Sequence, residues 1–158
     1  LPYLFGERAP IYDEHARGVY FGLHSGHTRA HLVRAGIEGI LFAMYSIFEL
    51  LQTGEYNIEE IKASGGYLRS DLMLQIQADI FGKPIKVPAS HEGSLVGAAL
   101  LAQKALGVIN FYDQRTKYIK ISRQVEPNLS NTKEYEGIYP RFKALYSHLK
   151  PLFNQSNR

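Results

Sequence analysis

The feature that most restricts this chain is a change of apolar period that repeats between Thr28 and Gly107. Leu32, Val33, Ile37, Ile40, Leu41, Met44, Ile47, Phe48 and Leu51 follow a helical spacing, bracketed by Thr28 as an N-cap and Gly54 as the residue just past the last turn. A short run over 59–63 then reads as a strand, 70–81 as a helix ended by Gly82, 84–88 as a strand, and 94–106 as a helix stopped by Gly107. Helix, strand, helix, strand, helix is the order of an α/β unit with parallel strands. The apolar positions of the first helix cover more than one stripe, which predicts burial on several sides, with Gly36 and Gly39 admitting a close neighbour.

The flanks are less regular. Residues 1–27 hold Gly and Pro turns and two short strand-like runs, 3–5 and 19–23. Residues 117–125 alternate like a strand inside an otherwise irregular stretch. Tyr135, Tyr139, Phe142, Leu145, Tyr146, Leu149 and Phe153 predict a C-terminal amphipathic helix interrupted at Pro140. The expected organisation is a single domain or domain fragment over 1–158: loop and short strands over 1–27, an α/β core over 28–107, and a C-terminal extension with its helix over 108–158.

Length and a 45% hydrophobic share suffice for a packed core. No uninterrupted apolar stretch of about 18 residues and no basic-then-apolar leader are present, so no membrane partner is expected and the cytoplasm is the default location. The absence of cysteine excludes disulfides and thiolate metal sites. The net charge of +3 is carried by scattered residues such as Lys62, Arg69, Lys83, Lys86 and Lys104, so no nucleic-acid partner is expected either. A chain that opens at Leu1 inside an apolar run is expected to be a piece of something longer.

Residues 63–72, "ASGGYLRSDL", put two glycines at a strand-to-helix turn. In parallel α/β folds such turns face the crevice where ligands bind. Glycine there lets a ligand approach the main chain, and the following helix offers free N–H groups to an anion. Taken alone, a glycine pair is more often a plain tight turn.

The company the pair keeps changes that balance. "LPYLFGERAPIYDEHARGVYFGL", "HTRAHLVRAGIEGILFAMYSIFELL" and "IKASGGYLRSDLMLQIQADIFGKPIKVPASHEGSLVGAALLA" together resemble, in order over 1 to about 107, the C-terminal part of the FGGY carbohydrate kinases. The resemblance implies a domain of the ribonuclease H and actin-like ATPase fold, incomplete here, with ATP and magnesium as cofactors. It further implies a sugar or sugar acid as substrate, gluconate first and xylulose second, and a missing N-terminal domain as partner. By the same resemblance Gly65 and Gly66 correspond to the adenosine-binding glycines, Ser70 to a small polar residue near the adenine, and Gly97 and Ala98 to the opposite wall. Tyr67 and Leu68 stand where many members have a third glycine or alanine, so Tyr67 is either core or lies along the base. The aspartate base and phosphate loops would lie upstream, leaving no catalytic residue here. The rival of another class is a non-catalytic interaction module derived from such a kinase.

Other candidates are weaker. His24, His27 and His31 include an i, i+4 pair that suits a metal, but no further ligand completes the set, and helix-entry histidines are the simpler reading. Ser90, His91 and Glu92 are too close in sequence to converge as a hydrolase triad. Asp71 is a first-turn acid favoured by the helix dipole, and neither it nor Asp13 or Asp79 is promoted to a catalytic base. Glu7, Arg8 and Arg17 are expected to order a loop rather than touch substrate. An isolated fragment with an open sheet edge is expected to dimerise or aggregate.

Overall fold

The structure, a computed structural model, describes residues 1–54, 58, 60–89, 93–109 and 119–154. The first helix, α1, spans Arg29–Thr53. It starts where expected because Thr28 is extended and its backbone N–H is accepted by His31 Nδ1 at 3.1 Å, closing a capping box. Gly54 ends it with extended backbone, φ −79° and ψ −179°, rather than in the left-handed form expected of a C′ glycine.

Strand β1 (Ile61–Lys62) runs parallel to β2 (Ile85–Pro88), with Ile61 opposite Ile85. Residue 59 lies outside the described residues. Between the strands come a 3₁₀ turn, Gly66–Arg69, which the sequence pattern did not announce, and α2, Asp71–Phe81. Ser70 caps α2 by accepting the Met73 N–H at 3.3 Å, and Gly82 stops it at φ 59°. Helix α3 covers Gly93–Ala105, β3 Ile121–Val125, and α4 Leu129–Phe153.

The expected parallel pairing of the two core strands is present in β1 and β2, and β3, whose direction the sequence left open, pairs antiparallel to β2, so the sheet, ordered β1-β2-β3, is mixed. Two sequence expectations are corrected. The strand-like runs 3–5 and 19–23 form no strands. Isolated bridges Leu4 to Gly6 and Glu7 to Asp13 and a reciprocal pair of hydrogen bonds between Leu1 and Val19 occur there, and no described neighbour extends them into a ladder. Finally, α4 continues through Pro140. Pro140 is exposed, so the carbonyl its missing N–H would have served is open to water, while Tyr135 and Tyr139 hold the opposite face in the core.

The main core is where α1, α2 and α4 meet: Leu41, Phe42 and Phe48 pack with Ile76, Ile80 and Phe81 and with Tyr135 and Tyr139. Each such apolar side chain contributes roughly 1.5–3 kcal/mol on burial. A second cluster, Ala63, Leu68, Leu74, Ala78, Ile85 and Val87, glues the sheet and the 3₁₀ turn to α2. Tyr3 and Ala16 close on Phe153 and so tie the N-terminal segment to the end of α4.

The expected burial of α1 on several sides is met on one side only. Val33, Ile47 and Leu51 remain 56%, 40% and 51% exposed, because no described element lies over them. By length and a mean hydropathy of 1.3, α1 would also pass for a membrane span. It nevertheless carries the Arg34–Glu38 ion pair, and its Glu49 meets Lys143 of α4, which mark it as a helix of a globular core.

Candidate functional site

The two glycines of the turn after β1 do different things. Gly65 adopts φ 104° and ψ −178°, a region essentially closed to residues with a side chain, at a cost of about 1–3 kcal/mol. Gly66, the first residue of the 3₁₀ turn, has no such requirement. No described atom lies within 4 Å of where a Cβ would stand on either residue. The turn is therefore bare on its outer side.

It is also rigid. Ala63 N–H donates to the Lys86 carbonyl at 3.0 Å, carrying the sheet ladder up to the turn. Leu68 N–H donates to the Gly65 carbonyl at 3.3 Å and Ser70 N–H to that of Tyr67 at 2.9 Å, while Leu68 itself is buried in the second cluster. Tyr67 is half-buried against that cluster, and its hydroxyl donates to Gln77 Oε1 at 3.0 Å. Burial pushes the Tyr67 phenol above its ordinary value. Tyr67 therefore packs against the core while part of it stays accessible at the turn. Ser70 spends its hydroxyl oxygen on the α2 cap.

On α3, Gly93, Val96, Gly97 and Leu100 share one face: Leu100 is buried, Val96 and Gly97 are half-buried, and Gly93, like the neighbouring Ala98, is exposed. A Cβ on Gly93 would stand 2.5 Å from Ser64 Oγ, so the first turn of α3 comes directly against the glycine turn. One helical turn further on, no described atom lies within 4 Å of the Cβ position of Gly97. Gly65, Gly66 and Gly97 thus each lack a described neighbour at the Cβ position, which leaves their main chain open to approach. Ser64, Gly93 and Gln77 were not singled out by the sequence reading. Each acts through a partner 10 or more positions away, a distance at which sequence spacing carries no signal.

The acidic residues are engaged elsewhere. Asp71 pairs with Arg123 at 2.5 Å across an exposed surface. Asp79, buried near the end of α2, accepts from Gln75 Nε2, Asn128 N–H and Asn131 Nδ2, each at 2.8 Å. Asp13 accepts from the Tyr146 hydroxyl at 2.8 Å and His15 N–H at 2.9 Å. Burial would raise the Asp13 carboxyl, but these hydrogen bonds together with Lys150 hold it below the ordinary value.

The histidines order the entry to α1: His27 Nδ1 accepts His24 N–H at 3.0 Å and His24 Nδ1 accepts Gly26 N–H at 3.1 Å. Among the described residues no three His, Asp or Glu side chains gather as a metal site. Arg17 donates to the carbonyls of Glu14 and Ala16, and the Glu7 carboxylate accepts the Arg8 backbone N–H at 2.8 Å, so Arg17 and Glu7 make local contacts within the N-terminal loop. Ser90, His91 and Glu92 lie outside the described residues.

Comparison with known proteins agrees with this architecture. A profile of the FGGY family of carbohydrate kinases, C-terminal domain, matches residues 1–106. A gluconokinase of Bacillus licheniformis is 36% identical over 155 residues, 98% of this chain and 30% of that protein. A xylulose kinase of Staphylococcus epidermidis is 37% identical over 152 residues, 96% of this chain and 31% of that protein. The solved structure of a ligand-bound xylulose kinase from Lactobacillus acidophilus superposes with a TM-score of 0.90 at 32% identity, over 99% of this chain and 32% of that one. The chain thus spans about a third of the length of these relatives.

Proposed function

The chain belongs to the FGGY family of carbohydrate kinases, whose C-terminal domain it matches, and from that membership we propose that it is the adenosine-binding part of an enzyme that phosphorylates gluconate with ATP. In this reading residues 1–158 act as one unit: an N-terminal loop over 1–27, the α/β core over 28–107 that carries the site, and an extension over 108–158 that braces it. Gly65, Gly66, Tyr67 and Ser70 form one wall of the adenosine slot, and Gly97 with Ala98 the other. The observation that carries the reading is the bare, rigid Gly65–Gly66 turn set beside the open Gly97 face of α3. Main chain stripped of side chains on both sides suits a planar base recognised by shape more than by charge.

Phosphoryl transfer needs positioned phosphates, a metal, and a group that takes the proton of the attacking hydroxyl as ADP leaves. The described residues supply none of the last two. Asp71 is paired, Asp79 is fully hydrogen-bonded inside the core, and no donor set for magnesium assembles near the turn. Those groups are assigned to the remainder of the full-length protein, and what this chain contributes is to hold the nucleoside still. A cysteine-free kinase fed by ATP suits the cytoplasm.

The full-length protein tested against a panel of sugars and sugar acids should turn over ATP best with gluconate, giving ADP and a phosphorylated sugar acid. Xylulose is the second reading, favoured by the 37% identity to a xylulose kinase, and a clear preference for it would replace gluconate. Absence of sugar-dependent ATP turnover with every acceptor would favour a non-catalytic module instead.

A further inference from the structure

Ser64 and Gly93 are 29 positions apart, yet the α3 backbone approaches the turn so closely here that a methyl on Gly93 would stand 2.5 Å from Ser64 Oγ and 3.6 Å from its Cβ. Gly97 lies one turn further along the same face of α3, with no described atom within 4 Å of its Cβ position. In the proposed reading the opening between the glycine turn and α3 is a wedge, closed at Ser64 and Gly93 and open at Gly97. We infer that the Ser64–Gly93 contact is the spacer that sets the width of this wedge and so positions the two walls on a nucleoside. The inference rests on the proposed reading of the opening as an adenosine slot, and it adds a pair that touches no ligand itself.

Ser64 is exposed and its Oγ turns about a single side-chain bond, which grades the effect of bulk at position 93. A single methyl can be met by swinging Oγ away. A branched side chain meets the Ser64 Cβ as well, and the first turn of α3 must then move out. Moving one wall of a shape-selective slot by about 1 Å is enough to lose roughly tenfold or more in affinity.

The test measures Michaelis constants for ATP and for the sugar on the full-length protein, with thermal unfolding recorded alongside. Gly93→Ala is expected to leave the ATP constant within about twofold, and Gly93→Val to raise it about tenfold with the sugar constant unchanged. Adding Ser64→Gly to Gly93→Val removes both clashing atoms and should return the ATP constant to within about threefold of the native value. Gly93→Val should also gain relative acceptance of an ATP analogue with a bulky N6 substituent, as a widened slot would and a merely destabilised one would not.

An unchanged ATP constant in folded Gly93→Val, or failure of Ser64→Gly to restore it, overturns the spacer. Should Gly93→Val not fold, Ser64→Val places the same bulk from the exposed side, with the same expectation and the same refutation. Gly66→Val separates the two levels. If it leaves ATP affinity intact, the adenosine reading itself fails; if it weakens ATP while Gly93→Val and Ser64→Val do not, only the spacer fails.

Discussion

Asp79, buried near the end of α2, accepts the backbone N–H of Asn128 at 2.8 Å, and Asn128 is the N-cap of α4. The second carboxylate oxygen takes Asn131 Nδ2, also at 2.8 Å. One side chain therefore fixes where α4 begins and seats its first turn on α2, which makes Asp79 a structural anchor rather than a catalytic acid.

Asp79→Ala leaves the Asn128 N–H and the Asn131 amide without their acceptor in a buried place. It should lower the free energy of unfolding by about 2–4 kcal/mol, and Asp79→Asn by less, since one acceptor oxygen remains. Denaturant titration of the three proteins checks this. A loss under about 0.5 kcal/mol for Asp79→Ala would mean the network is not structural.

The glycine pair should separate by mechanism. Gly65→Ala forces a side chain into a glycine-only conformation and is expected to cost about 1–3 kcal/mol of stability with or without nucleotide. Gly66→Val meets no described atom and should shift unliganded thermal unfolding little while raising the ATP Michaelis constant about tenfold or more. If the two variants behave alike, the assignment of Gly66 to the nucleotide is wrong.

Alkaline pH should loosen α4. The Tyr135 hydroxyl donates to Glu38 at 2.8 Å, that of Tyr139 to Glu49 at 2.9 Å, and that of Tyr146 to Asp13 at 2.8 Å. Burial first, then the neighbouring carboxylates, opposed at Tyr135 by the hydrogen bond from Arg34, pushes Tyr135 and Tyr146 up to about 12 and Tyr139 higher still. Groups whose folded values are raised stabilise the fold fully below the unfolded value near 10, and that contribution is lost as pH rises through about 12. Helix content followed by circular dichroism should hold to about pH 10 and fall above it, together with phenolate absorbance. A flat signal through that window would rule the clamp out. At the acid end the sign reverses: the contribution of Asp13 is present above its ordinary value and lost as pH falls through its depressed one.

By itself the 158-residue chain should self-associate. Val33, Ile40, Met44, Ile47 and Leu51 form an exposed apolar stripe along α1, and an apolar groove lined by Tyr20, Phe21, Leu32, Phe142 and Leu145 runs between α1, α4 and the N-terminal segment. Light scattering should report dimers or larger species, and Ile47→Lys with Leu51→Lys should shift them toward monomer. A clean monomer at high concentration without those changes would count against an uncovered face.

What the sequence determined by itself is what acts within about one helical turn. Ser70 caps α2 three residues from Met73, Gly82 stops it, and Thr28 with His31 opens α1. The alternation of periods announces the helices and the β1–β2 pair for the same reason, since a side chain's face depends only on its neighbours along the chain. The glycine pair was legible as a special turn, and family resemblance made it the candidate for nucleotide contact. Tertiary structure decided the rest. The direction of β3 is fixed only in its pairing with β2, where Val125 stands opposite Ile85, and the passage of α4 through Pro140 depends on the proline facing water while Tyr135 and Tyr139 are packed. Asp79 finds Asn128 49 positions away, and Ser64 meets Gly93 across a strand and two helical segments. Periodicity carries no record of such pairings, because their energy appears only once the intervening chain has folded and brought the partners to contact distance.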